Sequence, residues 1–400
     1  MRDDRPAPPS AGVTDARSTD ELASELIRRG VRRVHVLAWR DLDDPDAGGS
    51  EVHADEFMRR WASAGLDVVH RTSHARGLPD EAVRHGYRVV RRGGRLTVFP
   101  RVVVSELTGR MGRYDALVEI WNGVPWMSPV WCRRPRITFL HHVHGPMWGQ
   151  ILPGPAAAFG RVLEARLAPP FYRRTQMVTP SDATREELIE LGFHPERVLA
   201  VPNGVSETFS PAGDHAAIAA ARAPVPTVVA VARMAPVKRF DELIRAAVVA
   251  RRRVPDLEVL LGGSGPLEAE LRAQVAAAHA TGWIRFLGQV SHDELVGHYR
   301  RAWVVASASL AEGWGLTLTE AAACGTPAVA TDIRGHRSSV VDGVTGVLAP
   351  LDRLGDALAD VLVDEERRRS LGDAALARAR TLTWDRVARE VLAALHAQVR

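Results

Sequence analysis

Short unbroken apolar runs alternate along the chain with stretches where apolar residues recur every three or four positions. The runs read as buried strands and the stretches as amphipathic helices, so the alternation predicts an α/β chain with parallel sheets. In the first half, strands are expected at residues 34–39, 66–70, 115–120, 136–140, 175–179 and 198–201. Residues 87–99 and 101–104 read as further strands or hairpins. Helices are expected at 20–30, from about Ser50 to Gly65, at 155–167 and at 181–192, the last opening on Ser181 as its cap. The second half starts a fresh repeat: strands at 227–231, 257–261, 283–287, 302–308 and 328–330, a helix from Phe240 and a compact one over 316–324. Gly325-Thr326-Pro327 stops the latter, since proline cannot continue a helix. A final helix begins at Thr383-Trp384 and puts Val387, Val391, Leu392 and Leu395 on one face.

The pattern divides the chain. Residues 1–19 combine charge and proline without an apolar core and read as a disordered tail, not a secretory signal. Residues 20–205 form one α/β domain, and 206–380 a second. The boundary falls in an Ala-, Pro- and Gly-rich loop over 206–226, and 381–400 is a closing helix. Four hundred residues, 46% hydrophobic and 25% charged, are enough for two such cores in a soluble protein. No apolar run reaches the roughly eighteen residues of a membrane span.

Charge and rare residues refine this picture. From Arg71 to Arg174 there are seventeen arginines against six acids, so the first half is the basic half. Such a surface attracts an acidic substrate or the inner face of an anionic membrane; a plain solvated face from a composition-biased genome is the alternative. No nucleic-acid recognition motif is present. Cys132 and Cys324 lie far apart and fit no metal spacing, which suits a reducing cytoplasm. Lys238 is the one lysine of the chain, and Asn122 and Asn203 are the two asparagines, each followed by glycine.

The chemistry gathers at expected strand ends, where ligands sit in open parallel sheets. After the strand at 302–308 comes Glu312-Gly313-Trp314-Gly315-Leu316-Thr317, with Glu320 in the helix that follows. A glycine turn opening a helix offers free amides to an anion. Arg233 and Lys238 flank Pro236 after the strand at 227–231, two cations on one short loop before a helix. Gly262-Gly263-Ser264-Gly265 follows the next strand, and Gly288-Gln289-Val290 the one after that. In the first half, Gly48-Gly49 opens a helix without the dinucleotide fingerprint, which weakens a dehydrogenase reading. His141-His142-Val143-His144 ends a strand; a zinc site there would need carboxylate or cysteine partners that the spacing does not supply.

Taken together, these motifs resemble the retaining glycosyltransferases of family four (glycosyl transferases group 1), over about residues 34–395. EGWGLTLTE looks like the family's E-x7-E signature, Gly48-Gly49-Ser50-Glu51 its GGSE loop and Arg233 to Lys238 its R-x4-K pair. Where the family reads NGVD, this chain has Asn203-Gly204-Val205-Ser206, which leaves the role of the fourth position in doubt. The resemblance implies a GT-B fold: two Rossmann-like doubly wound domains facing across a cleft, with the last helix crossing back to the first. It implies a nucleotide-sugar donor of the GDP-mannose, UDP-glucose or UDP-N-acetylglucosamine type, and an acceptor hydroxyl on a glycan, lipid or small molecule. Arg233 and Lys238 would hold the diphosphate, Glu320 the ribose, and Glu312 and His141 the sugar, with His142 the adjacent alternative. Gly48, Gly49, Gly263, Val290 and residues 313–317 would line the donor, with no metal and no cofactor. A nucleotide-sugar epimerase of the same fold, and a non-catalytic nucleotide-sugar-binding protein, are the other readings.

Overall fold

The computed structural model describes residues 15–152 and 154–399. The first helix, Thr19–Arg28, opens one residue inside the expected tail, capped by the Ser18 hydroxyl and the reciprocal Glu21 carboxylate. Asp15 accepts from Arg17, and its carbonyl from Arg389. The rest of the expected tail, residues 1–14, lies outside the described residues. The chain forms two compact units: Met1–Gly204 with Trp384–Arg400, and Val205–Thr383.

The first unit is built on an eight-stranded sheet. Its strands are β1 (Arg33–Leu37), β2 (Asp67–Thr72), β3 (Glu81–Arg84), β4 (Tyr87–Arg91), β5 (Ala116–Trp121), β6 (Arg136–Leu140), β7 (Gln176–Thr179) and β8 (Val198–Ala200). They lie in the order β3-β4-β2-β1-β5-β6-β7-β8, parallel except for the β3–β4 hairpin. His85 and Gly86 turn that hairpin, both at positive φ (44° and 87°). That is the geometry a two-residue hairpin turn needs. The strand order reverses between β1 and β5, so their carboxyl ends frame the natural crevice of this unit.

Beyond Arg91 the structure corrects the expected strands. Val98–Leu107 is a helix, not strand or hairpin. Gly93, at φ 85°, breaks β4 away, and the Gly94 amide donates to Thr97 Oγ1 at 2.8 Å. Val98, Val102 and Glu106 then fall four apart and are all buried, Glu106 against His35 of β1 at 2.9 Å. The β-branched run favours a strand locally, but burial on a 3.6-residue period decides. Pro100 is tolerated because it sits in the first helical turn.

The closing helix, Trp384–His396, belongs to this first unit and packs on the helices Gly49–Ser63 and Thr19–Arg28. Val387, Val391, Leu392 and Leu395 are fully buried. The Trp61 indole N–H donates to the Ala388 carbonyl at 2.9 Å, pinning the helix pair.

The second unit carries β9 (Thr227–Val231), β10 (Glu258–Gly262), β11 (Ile284–Gly288), β12 (Val304–Ser307), β13 (Ala328–Thr331) and β14 (Gly346–Ala349). All are parallel, in the order β11-β10-β9-β12-β13-β14. Numbered within the unit this is 3-2-1-4-5-6, the doubly wound Rossmann order, with its reversal between β9 and β12. The loops carrying Arg233, Lys238 and Glu312 leave those two strands.

Trp61→Ala removes a fully buried indole and its bond to the closing helix, and is expected to destabilise the first unit by about 3–5 kcal/mol. Urea unfolding checks this; a loss below about 1 kcal/mol would mean the helix docks by other contacts.

Candidate functional site

In the second unit, β9 leads into a loop in which Pro236–Lys238 makes a single 3-10 turn, followed by Arg239 at φ 49° before the helix Phe240–Arg251. The loop after β12 docks on that turn: the Leu310 amide donates to the Val237 carbonyl at 2.8 Å. The docking brings the one lysine of the chain onto Glu312, with Lys238 Nζ 2.5 Å from Glu312 Oε1. Ser309 Oγ donates to the same oxygen at 2.8 Å. Desolvation alone would raise the Glu312 carboxyl, but Lys238 and the Ser309 hydroxyl hold it below its usual range. Arg233 is exposed on the same loop as Lys238.

The Glu312 loop is also backed from β13. His336, fully buried, donates from Nδ1 to the Thr331 carbonyl at 2.8 Å, and Thr331 Oγ1 donates to the Ser309 carbonyl at 2.8 Å. Burial keeps the imidazole below its ordinary pKa, hence neutral. Gly335 lies so close that a Cβ there would sit 2.1 Å from the Glu312 carbonyl oxygen. Neither His336 nor Gly335 was picked out from the sequence. The signal available was their place just past a strand adjoining the reversal point.

Gly315, at φ 99°, starts the helix Leu316–Ala323, and the first-turn amides of Leu316 and Thr317 have no backbone partner. Glu320 is the fifth residue of that helix and half-buried. Tyr299 Oη, itself fully buried, reaches its Oε2 at 3.4 Å. Burial pushes the Glu320 carboxyl up to about 7, with the Tyr299 hydroxyl opposing. Gly313 precedes Trp314, whose ring is buried at 4% exposure in the core beside Val229 and Leu318. The Trp314 side chain is therefore a packing element, and only its backbone faces the turn.

The Gly262–Gly265 loop uses its glycines for a close approach to the Arg233 loop. A Cβ on Gly263 would lie 2.1 Å from the Ala232 carbonyl, and one on Gly265 2.5 Å from that of Met234. The Gly263 amide donates to Gly288 at 2.7 Å, and the Met234 amide to Ser264 at 2.8 Å. Val290 is half-buried, packed close to Gly262.

In the first unit, Gly48 caps the helix Gly49–Ser63 in an extended conformation, and its amide donates to Glu51 Oε2 at 2.7 Å. Gly48 and Gly49 are exposed. Asn122, past the carboxyl end of β5, donates to Ser50 at 3.4 Å and ties the two sides of the crevice together. His141 follows β6 and is 7% exposed, packed edge-on to His53 with ring centres 5.0 Å apart. No nitrogen of either ring has a partner among the described residues. Burial holds His53 at about 3 and His141 well below its ordinary value, so both are neutral. His53 was missed because it lies inside a helix rather than at a strand end. His142 is half-buried and stacks on His144 at 4.4 Å. The His144 and Gly145 amides and the Trp148 indole all converge on the buried Glu164 carboxylate.

Among the described residues no group of three or more His, Cys, Asp or Glu is placed to hold a metal ion. Among them, too, no helix is long and apolar enough to cross a membrane.

Comparison with known proteins adds identity to this geometry. Residues 47–209 match the family model Glycosyltransferase Family 4, and residues 215–378 match Glycosyl transferases group 1. The D-inositol 3-phosphate glycosyltransferase of Kribbella flavida is 31% identical, over 92% of this chain and 96% of its own. The GDP-mannose-dependent alpha-(1-6)-phosphatidylinositol monomannoside mannosyltransferase of Mycolicibacterium smegmatis is 30% identical, over 82% and 89%. Among solved structures, the sucrose-phosphate synthase of Thermosynechococcus elongatus superposes with a TM-score of 0.74 at 22% identity, covering 89% of this chain and 96% of that one. Anabaena HepE in complex with UDP-glucose gives 0.69 at 18%, covering 90% and 98%. The two Rossmann-like sheets are thus those of the GT-B fold, and the chain belongs to the group 1, family 4 glycosyltransferases.

Proposed function

We propose that the chain is a retaining hexosyltransferase that moves a hexose from a nucleoside-diphosphate sugar to an acceptor hydroxyl. The observation that carries this is the Lys238–Glu312 pair at the reversal point of the second sheet, beside the open first turn of the helix Leu316–Ala323. An ammonium has three donors, and Glu312 with its 2.5 Å contact takes one, which leaves two for phosphate oxygens. When the bond from the anomeric carbon to the phosphate oxygen breaks, charge builds on the diphosphate. Lys238, Arg233 and the amides of residues 313–317 would stabilise it more than the ground state. The acceptor oxygen bonds to the anomeric carbon on the same face, and its proton passes to the departing phosphate. The positive charge of this reading comes from the protein, so it calls for no metal.

Glu320 would accept from the ribose hydroxyls and Glu312 from the sugar, while Gly263 and Val290 would shape the wall toward the base. In the first unit, His141 or its neighbour His142 would meet sugar hydroxyls, since the unpartnered His141 nitrogens can still both give and take a bond. Gly48 and Gly49 would let the backbone approach a ligand closely. The donor is of the GDP-mannose, UDP-glucose or UDP-N-acetylglucosamine type: one relative is by name GDP-mannose-dependent and one structural neighbour holds UDP-glucose. Two relatives are named for inositol-bearing acceptors, which makes an inositol phosphate the first acceptor to try.

Thermal unfolding with UDP, GDP, ADP and NAD tests the donor. One nucleoside diphosphate should raise the midpoint, by about 2.7 kcal/mol of added stability at a hundredfold excess over Kd, and Lys238→Ala should abolish the rise. A rise with NAD alone would remove the basis of the reading. With the donor so identified, Lys238→Ala should lower kcat by about 10²–10³.

The Glu320 carboxyl gives a pH test. Its folded value of about 7 lies above the ordinary 4.5, so the folded state binds the extra proton between them. Stability therefore falls as pH rises through that window. Glu320→Gln should flatten the fall, gaining on the wild type at pH 8 and not at pH 4, as read from urea midpoints. Parallel curves would show that Glu320 is not buried as a neutral acid.

A further inference from the structure

The helical run that follows the loop after β6 has a face that the fold does not use. It comprises Gly154–Val162, a single π-helical turn over Leu163–Leu167, and Pro169–Tyr172. Ala157, Gly160, Glu164, Ala168 and Tyr172 face inward and are buried. A Cβ on Gly160 would meet Trp148 at 2.6 Å, Glu164 accepts the His144 and Gly145 amides, and the Tyr172 hydroxyl donates to Glu119. These contacts hold the run to the first unit without help from its other side.

That other side is apolar and exposed. Phe159, Val162, Leu167 and Phe171 are 61%, 41%, 48% and 53% exposed. Their spacing of three, five and four keeps them on one face, because the wider π turn takes up the fifth residue. Every other Trp, Tyr and Phe among the described residues is buried or half-buried. Pro155 and Pro170 are exposed beside them. Val130, also exposed, lies on the helix Ser128–Trp131, which packs against Pro169–Tyr172. Apolar groups gathered on one face, unlike ones scattered singly, mark a contact surface.

The charge around the face is of one sign. Arg161, Arg166, Arg173 and Arg174 are exposed within or just past the run. Between Asp115 and Asp182 the chain has two acids, Glu119 and Glu164, and both are buried. From Gly154 to Arg174 there is no Ser, Thr, Asn, Gln or Lys, so the arginines are the only exposed side chains there that can hydrogen-bond.

We propose that this face docks on an anionic lipid bilayer. Phenylalanine and aliphatic side chains enter the boundary between headgroups and acyl chains, and flanking cations meet the lipid phosphates. A second copy of the chain fits less well. A two-fold contact sets each patch against its twin, which brings arginines together with no exposed acid between Asp115 and Asp182 to offset them. A protein partner would need directional polar contacts, which the face offers only through its arginines. The inference does not rest on the hexosyltransferase reading.

Co-sedimentation of the full chain with phosphatidylcholine vesicles, with and without phosphatidylglycerol, tests this. Wild type should bind the anionic vesicles and not the neutral ones, and less so as salt rises. Phe159→Ala/Phe171→Ala leaves the charge unchanged and should weaken binding about tenfold or more, for loss of two inserted rings. Arg166→Gln/Arg173→Gln should also weaken it about tenfold or more. Both double variants change exposed side chains and should keep the wild-type melting midpoint. Val363→Ala, at an exposed apolar position of the second unit, should bind as wild type does. The proposal is overturned by absence of binding to anionic vesicles, by equal binding to neutral ones, or by unchanged binding in either double variant. So is it by a dimer in sedimentation equilibrium that Phe159→Ala/Phe171→Ala dissociates, since the face would then join two copies.

Discussion

The second unit depends on one contact, the ion pair between Lys238 and Glu312. It joins the two loops that leave β9 and β12, the strands on either side of the sheet's reversal. Everything nearby is arranged to hold the acid: the Ser309 hydroxyl, the neutral His336 behind it, and Gly335, the only residue type that fits against its carbonyl. An arginine would not do the same work here. Its guanidinium is planar and wide, whereas an ammonium is compact and aims three donors tetrahedrally. In a chain whose 52 basic residues include a single lysine, that difference accounts for where the lysine was kept. The pair is only partly screened from water, with side-chain exposures of 24% and 17%. In the proposed function an incoming phosphate would share Lys238 without first breaking a fully buried bond.

Much of this was legible beforehand because parallel sheets put chemistry at the carboxyl ends of strands, and short apolar runs followed by polar loops mark those ends. The loops holding Lys238, Glu312, Gly48 and His141 were placed that way. What escaped was whatever depends on a partner distant in sequence. The helix Val98–Leu107 reads as strand by its valines, and only the burial of Val98, Val102 and Glu106 against the sheet turns it. Nothing in the turn over 313–317 announces that the Trp314 ring packs in the core. That the glycines of the Gly262–Gly265 turn admit the carbonyls of Ala232 and Met234 likewise depends on a loop distant in sequence. His53 and Tyr299 lie on helix faces, where a polar residue in an apolar stripe gives no local sign of what it will touch.

The candidate residues of the two units differ in how their polar groups are satisfied. In the second unit the half-buried acids have partners: Glu312 an ion pair and a hydroxyl, Glu320 the Tyr299 phenol. Charges held in this way would suit the proposed stabilisation of a developing charge, since donors that must first reorient lose much of their effect. In the first unit the imidazoles of His53 and His141 are buried, neutral and without partners at all four nitrogens. Leaving such groups unsatisfied costs about 1–3 kcal/mol each in a folded protein. These nitrogens are sealed from solvent, so in the proposed function a sugar hydroxyl would recover that cost only as the side chains move to meet it. Burial disfavours the charged form of both rings, which keeps them neutral. In the proposed function the first unit would thus contribute neutral hydrogen-bonding groups at His141, and the second fixed charge at Lys238.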